Sequence, residues 1–382
     1  MSSRAEQLLA LGQSVWLDFI RRGHIVSGEF DRLVREQGVV GVTSNPTIFQ
    51  LAIAESADYD EALVAAVGRG LAGAALFEAL EVEDIQMACD RLMGVWERTG
   101  GRDGRVSIEV SPTLARETAA TIEEARRLHR AVARANVMIK VPATLEGLPA
   151  VETLIADGIS VNVTLIFSRA RYRQVMEAWL SGLERRAARE LPLVSVFSVA
   201  SFFVSRVDSK VDAAIEQVLA ALPAGGANRA ELESYRGRAA VANARLAYAD
   251  FLEVCGAPRW LGLSRRGAPV QRPLWASTST KNPALPDTLY VDELIGPDTV
   301  NTMPPQTLAA FNDHGRPEVR IGSDLDAARR LFARLPALGV PVETLIDQLE
   351  AEGVAAFAKS YDALLATLEA RRREVAGAGG VR

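Results

Sequence analysis

The chain has 382 residues, 48% of them apolar and 24% charged, with a formal net charge of −5 at neutral pH. That composition is ordinary for a soluble globular protein and is long enough for one large barrel or two smaller domains. No basic stretch alternates with aromatics, which disfavours nucleic-acid binding, and apolar runs such as residues 72–76 are too short to span a bilayer. The first residues lack an apolar signal core, and Cys89 and Cys255 are too few and too far apart in sequence for a disulfide framework. Both features point to a reducing, cytoplasmic compartment.

Short β-branched, apolar runs recur along the chain at residues 14–19, 39–43, 105–110, 137–141, 160–167, 194–199, 273–277 and 299–303. Amphipathic stretches at 115–133, 169–190, 204–221 and 239–254 fall between them. Strand–helix alternation of this kind predicts a parallel sheet of the α/β class. Eight repeats fit a closed (β/α)₈ TIM barrel, while a doubly wound open sheet shares the period. Extra length falls at residues 50–100 and 222–270 and reads as helical or loop-like. A helical C-terminal extension covers 323–373. Pro341 marks the start of a helix over 342–349, and a longer helix follows over 353–371 with an apolar stripe through Phe357, Tyr361, Leu364 and Leu368. The glycine-rich end, 376–382, is expected to fray. The whole, 1–382, reads as one barrel domain.

Four of the 43 basic residues are lysine (Lys140, Lys210, Lys281 and Lys359), and the rest are arginine. Where arginine serves every ordinary positive charge, a lysine is a candidate for a task arginine cannot do, such as attacking a carbonyl.

Polar residues interrupt strands that should be apolar. Asp18, Glu109 and Lys140 each stand between apolar neighbours, and Asn162 and Thr164 alternate with Val161, Val163 and Leu165. Period two sends these side chains into the lumen, near the C-terminal mouth where barrel enzymes react. A purely structural network of ion pairs is a poor alternative, because buried pairs are weak stabilisers. Lys140 is the natural nucleophile for a ketone. Glu109 and Thr164 suit the proton transfers of imine formation, and Asp18 suits the substrate hydroxyl whose carbon–carbon bond breaks. Two segments suit a phosphate. Residues 201–206 hold Ser201 and Arg206, and residues 277–282 hold Ser279 and Lys281. The bland reading of each is a helix cap with a solvated charge. His24, His129 and His314 are widely separated and offer no metal-ligand spacing.

Gly41-Val42-Thr43-Ser44-Asn45-Pro46-Thr47-Ile48 resembles the N-terminal signature of the transaldolase family. Residues 137–148, Val-Met-Ile-Lys-Val-Pro-Ala-Thr-Leu-Glu-Gly-Leu, resemble its active-site lysine signature, and residues 158–167 are similar to it as well. The resemblance runs from about Val15 to Leu368 and is nearest to the larger bacterial members. It implies that Lys140 forms a Schiff base and that Asp18 takes the C4 hydroxyl proton. Glu109 and Thr164 hold a proton-shuttling water, and Asn45 and Asn162 bind the dihydroxyacetone unit. Ser201, Arg206, Ser279 and Lys281 bind phosphate. The implied reaction moves dihydroxyacetone from sedoheptulose 7-phosphate to glyceraldehyde 3-phosphate, giving erythrose 4-phosphate and fructose 6-phosphate. No metal or organic cofactor is implied. The partners implied are sugar phosphates rather than nucleic acid or membrane, and a homodimer is compatible with them. Two other readings are a fructose-6-phosphate aldolase, which releases free dihydroxyacetone, and a non-catalytic sugar-phosphate-binding barrel.

Overall fold

The computed structural model describes residues 3–54 and 56–379. Eight strands close into a parallel barrel in sequential order: β1 Gln13–Leu17, β2 Val39–Val42, β3 Arg105–Glu109, β4 Val137–Pro142, β5 Val161–Ile166, β6 Ser198–Phe203, β7 Arg272–Ala276 and β8 Thr299–Met303. The seam is the β1–β8 pairing, Gln13↔Thr299 through Leu17↔Met303. Closure removes both sheet edges, which settles the choice against an open sheet. The main helices are α1 Glu29–Glu36, α2 Pro46–Ala54, α3 Asp60–Gly68, α4 Gly73–Arg98, α5 Thr118–Val132, α6 Gly147–Asp157, α7 Arg169–Ala188, α8 Ser205–Ala221, α9 Ala239–Gly256, α10 Pro305–His314, α11 Leu325–Ala337 and α12 Val342–Gly379. Both insertions are helical. The first supplies α2 to α4, and the second supplies α9 between two shorter helices.

Four expectations change. The first strand ends at Leu17, so Asp18 and Phe19 lie just beyond it. The sixth strand occupies 198–203 instead of 194–199, and Val194 is 62% exposed. Apolar residues run almost unbroken from Leu191 to Val199, so periodicity could not set the frame there. From Val342 onward one continuous helix, α12, stands where two were expected. Gly353 costs helix propensity, yet it lets the helix backbone lie close to β5. A Cβ at that position would meet Leu165 Cδ2 at 3.1 Å and Phe167 Cε2 at 3.3 Å. The expected fraying from residue 376 is not seen up to Gly379, where the helix is intact, and residues 380–382 lie outside the described ones.

The N-terminal end of the barrel is plugged by a buried charge network. Arg272 Nη2 contacts Asp103 Oδ1 at 3.0 Å, and Arg272 Nη1 donates to Ser14 Oγ at 2.6 Å. Ser14 donates in turn to Asp103 Oδ2 at 2.9 Å. Above this layer lies Trp16, which fits because β2 carries Gly41. A Cβ on that glycine would come 2.5 Å from Trp16 Nε1. Removing Arg272 would strand the Asp103 carboxylate in the interior. Arg272→Met is therefore expected to cost about 3–5 kcal/mol of stability. A urea-unfolding midpoint unchanged from wild type would contradict this.

Candidate active site

The register of the barrel assembles the site. Glu109 on β3 pairs with Lys140 on β4, and Lys140 pairs with Asn162 on β5. Alternation then turns Glu109, Lys140, Asn162 and Thr164 into the lumen, where all four are buried. Lys140 Nζ lies 3.0 Å from Glu109 Oε2 and donates to the Ser44 carbonyl at 3.0 Å. Asn162 is held at both ends: its Nδ2 donates to Ser107 Oγ at 3.0 Å, and its Oδ1 accepts from Ser201 Oγ at 2.6 Å. Among the described residues, the Glu109 carboxylate receives no hydrogen bond apart from the lysine contact, and the buried Thr164 hydroxyl has no partner. A buried hydroxyl without a partner beside an ion-paired carboxylate is costly unless a ligand or water engages it. Burial raises the Glu109 pKa, the Lys140 charge opposes that rise, and the Asp18 charge adds to it.

Next to Thr164 the backbone is strained. Leu165 adopts φ +61°, and the β5–β6 register slips between Val163 and Ile166. A left-handed leucine costs on the order of 1–3 kcal/mol. A bulge at a strand end re-aims the neighbouring side chains, here those at the mouth.

Asp18 sits directly after β1, half-buried, with its backbone N–H donating to the Met303 carbonyl at 2.8 Å. The Thr43 hydroxyl donates to Asp18 Oδ1 at 2.8 Å. That uses its only proton, so Thr302 must be the donor in the 2.7 Å contact between the two threonines. Burial raises the Asp18 pKa, while the Lys140 charge, the Thr43 hydrogen bond and the Lys281 charge all pull it down. Asn45 follows in the chain. Its Oδ1 accepts the Ile48 N–H at 3.0 Å and so caps α2.

The residues expected to bind phosphate divide into two groups. With the strand shifted, Ser201 lies inside β6 and its hydroxyl is committed to Asn162. Arg206 lies in the first turn of α8, half-buried, with its guanidinium 5.5 Å from the Phe203 ring centre. No hydrogen bond or ion pair to it exists among the described residues, and burial lowers its pKa against the opposing charge of Glu352. Beside it the Ser205 and Ser277 hydroxyls meet at 2.8 Å, joining the β6 and β7 ends. Lys281 is exposed and donates to Ser279 Oγ at 2.9 Å. The loop leaves the C-terminal end of β7, the same end of the parallel barrel at which Asp18 follows β1.

Sequence reasoning did not single out Thr43, Ser107, Thr302 or Phe357. The first lies within the 41–48 stretch and could have been found there. Phe357 belongs to the apolar stripe of α12 and looks like any core residue. The structure places its ring 5.5 Å from Lys140 Nζ. Glu109 also forms part of the wall of a side cavity of about 940 Å³ between α4, α5 and α12. Glu81 lines that cavity, and its pKa is pushed well above the usual range, first by burial and then by the Glu109 charge.

A family model described as Transaldolase/Fructose-6-phosphate aldolase matches residues 15–368. The chain belongs to this family. The transaldolase of Frankia alni is 48% identical over 369 residues, covering 96% of this chain and 97% of its own. That of Thermobifida fusca is 48% identical over 366 residues, covering 96% and 97%. That of Trichodesmium erythraeum is 43% identical over 367 residues, covering 96% of each. All three stretches that resembled the transaldolase family lie at the site: 41–48 supplies Thr43, Ser44 and Asn45, 137–148 supplies Lys140, and 158–167 supplies Asn162 and Thr164.

Proposed function

We propose that the protein is a transaldolase that carries dihydroxyacetone as a Schiff base on Lys140, from sedoheptulose 7-phosphate to glyceraldehyde 3-phosphate. The observation that carries this reading is the buried Lys140–Glu109 pair at 3.0 Å, with the partnerless Thr164 hydroxyl on the neighbouring strand. The names borne by relatives that match nearly end to end support it.

In this reading Lys140 gives up its proton and attacks the ketose C2. Glu109, with Thr164 orienting a water, moves the protons that convert carbinolamine to imine. The iminium then draws electrons from the C3–C4 bond as Asp18 removes the C4 hydroxyl proton. The aldose product leaves, and an enamine stays on Lys140. This carbon adds to the acceptor aldehyde, Asp18 returns its proton to the new hydroxyl, and hydrolysis frees the ketose. Asn45 and Asn162 hold the hydroxyls of the three-carbon unit. Arg206, Ser279 and Lys281 hold the phosphate, and Ser201 acts through Asn162.

We infer also that the chain is one domain working in a reducing, cytoplasmic setting. The packing of α12 against β5, α2 and α8 supports the first inference, and the two unpaired cysteines support the second. Among the described residues no helix is long and apolar enough to cross a membrane.

The reading is tested by incubating sedoheptulose 7-phosphate with glyceraldehyde 3-phosphate and following erythrose 4-phosphate and fructose 6-phosphate. Formation of both is expected. Free dihydroxyacetone without transfer would favour the aldolase reading. Arg206→Ala should raise KM for phosphorylated donors about ten- to hundredfold, the worth of a hydrogen bond to a charged group. An equal loss with free dihydroxyacetone as donor would make Arg206 structural.

A further inference from the structure

We propose that Phe357 on α12 is the roof of the lysine site and sets the partition of the bound three-carbon fragment between an aldehyde acceptor and water. This rests on the Schiff-base reading above.

The roof is held from several sides. Residues 353, 357, 360 and 364 lie on one face of α12 by helical spacing. Gly353 brings the helix down onto Leu165 and Phe167, next to Thr164. Ser360 meets Thr47 at 2.9 Å, two residues beyond Asn45. On the flanks, Glu350 pairs with Arg171 at 2.8 Å and Glu352 pairs with Lys210. Between these fixings Phe357, only 5% exposed, presents its ring to Lys140 Nζ at 5.5 Å. An apolar ring held by its helix thus lies over the lysine nitrogen.

The enamine has two fates. In transfer, its nucleophilic carbon forms a bond to the acceptor carbonyl carbon, and the alkoxide takes a proton. In leakage, that carbon takes a proton instead, giving an iminium. Water adds to the C=N carbon, the carbinolamine C–N bond breaks, and free dihydroxyacetone and the neutral Lys140 amine result. Leakage consumes one water, with no oxidation or reduction. Both fates end in hydrolysis of an iminium, so they part earlier, at the enamine carbon, which takes either the acceptor aldehyde or a proton delivered by water. An aldehyde anchored by its phosphate is delivered in place. Water arrives by diffusion and is kept off by an apolar ring that offers it no hydrogen bond.

The test measures two products from fructose 6-phosphate: free dihydroxyacetone without an acceptor, and transfer with erythrose 4-phosphate present. Phe357→Ala should raise the leakage-to-transfer ratio at least about tenfold. Phe357→Leu, which keeps an apolar side chain and secures folding, should give a smaller rise in the same direction. Borohydride trapping on Lys140 should persist in both. An unchanged ratio in folded Phe357→Leu and Phe357→Ala, with trapping intact, overturns the roof. If Phe357→Ala does not fold, an unchanged ratio in Phe357→Leu alone overturns it. Absence of trapping in the wild-type protein would instead overturn the Schiff-base reading.

Discussion

Lys140→Arg is expected to abolish turnover, with a loss on the order of 10⁴–10⁶, as when a covalent nucleophile is removed from an enzyme. Arginine keeps a positive charge opposite Glu109, so the buried carboxylate, 3.0 Å from the native ammonium, still has a counter-ion. Its guanidinium stays protonated and forms no imine. Charge is thereby separated from nucleophilicity. A variant with a near-native unfolding midpoint and near-native turnover would show that Lys140 acts only as a cation.

Asp18 and Glu109 variants should fail at different steps, each losing about 10²–10⁴ in rate. Asp18→Ala should still form the imine and stall before carbon–carbon cleavage, so the imine accumulates. Glu109→Ala should slow imine formation itself. It also leaves Lys140 buried without its ion partner, so Glu109→Gln is the better-folded comparison. The pH profile follows from the same environment. Burial raises the Asp18 pKa above its usual 3.8, so the protonated, inactive form persists to higher pH than for an exposed aspartate. Turnover should therefore fall on acidification from a pH above the ordinary carboxylate range, and Asp18→Asn should remove that limb. Single-turnover trapping that proceeds at wild-type rates in both alanine variants would contradict the division of roles.

The barrel was legible because its strands are buried on both faces and separated by amphipathic helices, which leaves short continuous apolar runs alternating with period-3.6 stretches. The lumen cluster was legible for a related reason. A lone Lys140 or Glu109 among β-branched neighbours conflicts with its strand, and such conflicts gather at functional sites. Legibility failed where composition was uniform. The apolar run before β6 gave no frame, so the strand start was misplaced and the hydrogen bond from Ser201 to Asn162 was not foreseen. Positioning groups such as Thr43 and Ser107 were hidden because their roles depend on pairings between strands. The role of Phe357 was hidden further still, since α12 is distant from Lys140 in sequence and reaches it only by folding back over the mouth. Gly353 read as the start of a second helix, although its missing side chain is what seats one continuous helix on β5.

The most direct test of the account is reductive trapping followed by peptide mapping. The protein is incubated with fructose 6-phosphate, treated with borohydride, digested and examined by mass spectrometry. Cleavage of the six-carbon donor leaves three carbons on the enzyme, so the expected result is permanent inactivation and a reduced dihydroxyacetone adduct on Lys140 alone. Lys210, paired with Glu352, and the exposed Lys281 serve as internal controls. An adduct on either of them, or full activity after borohydride, would contradict the central role given to Lys140.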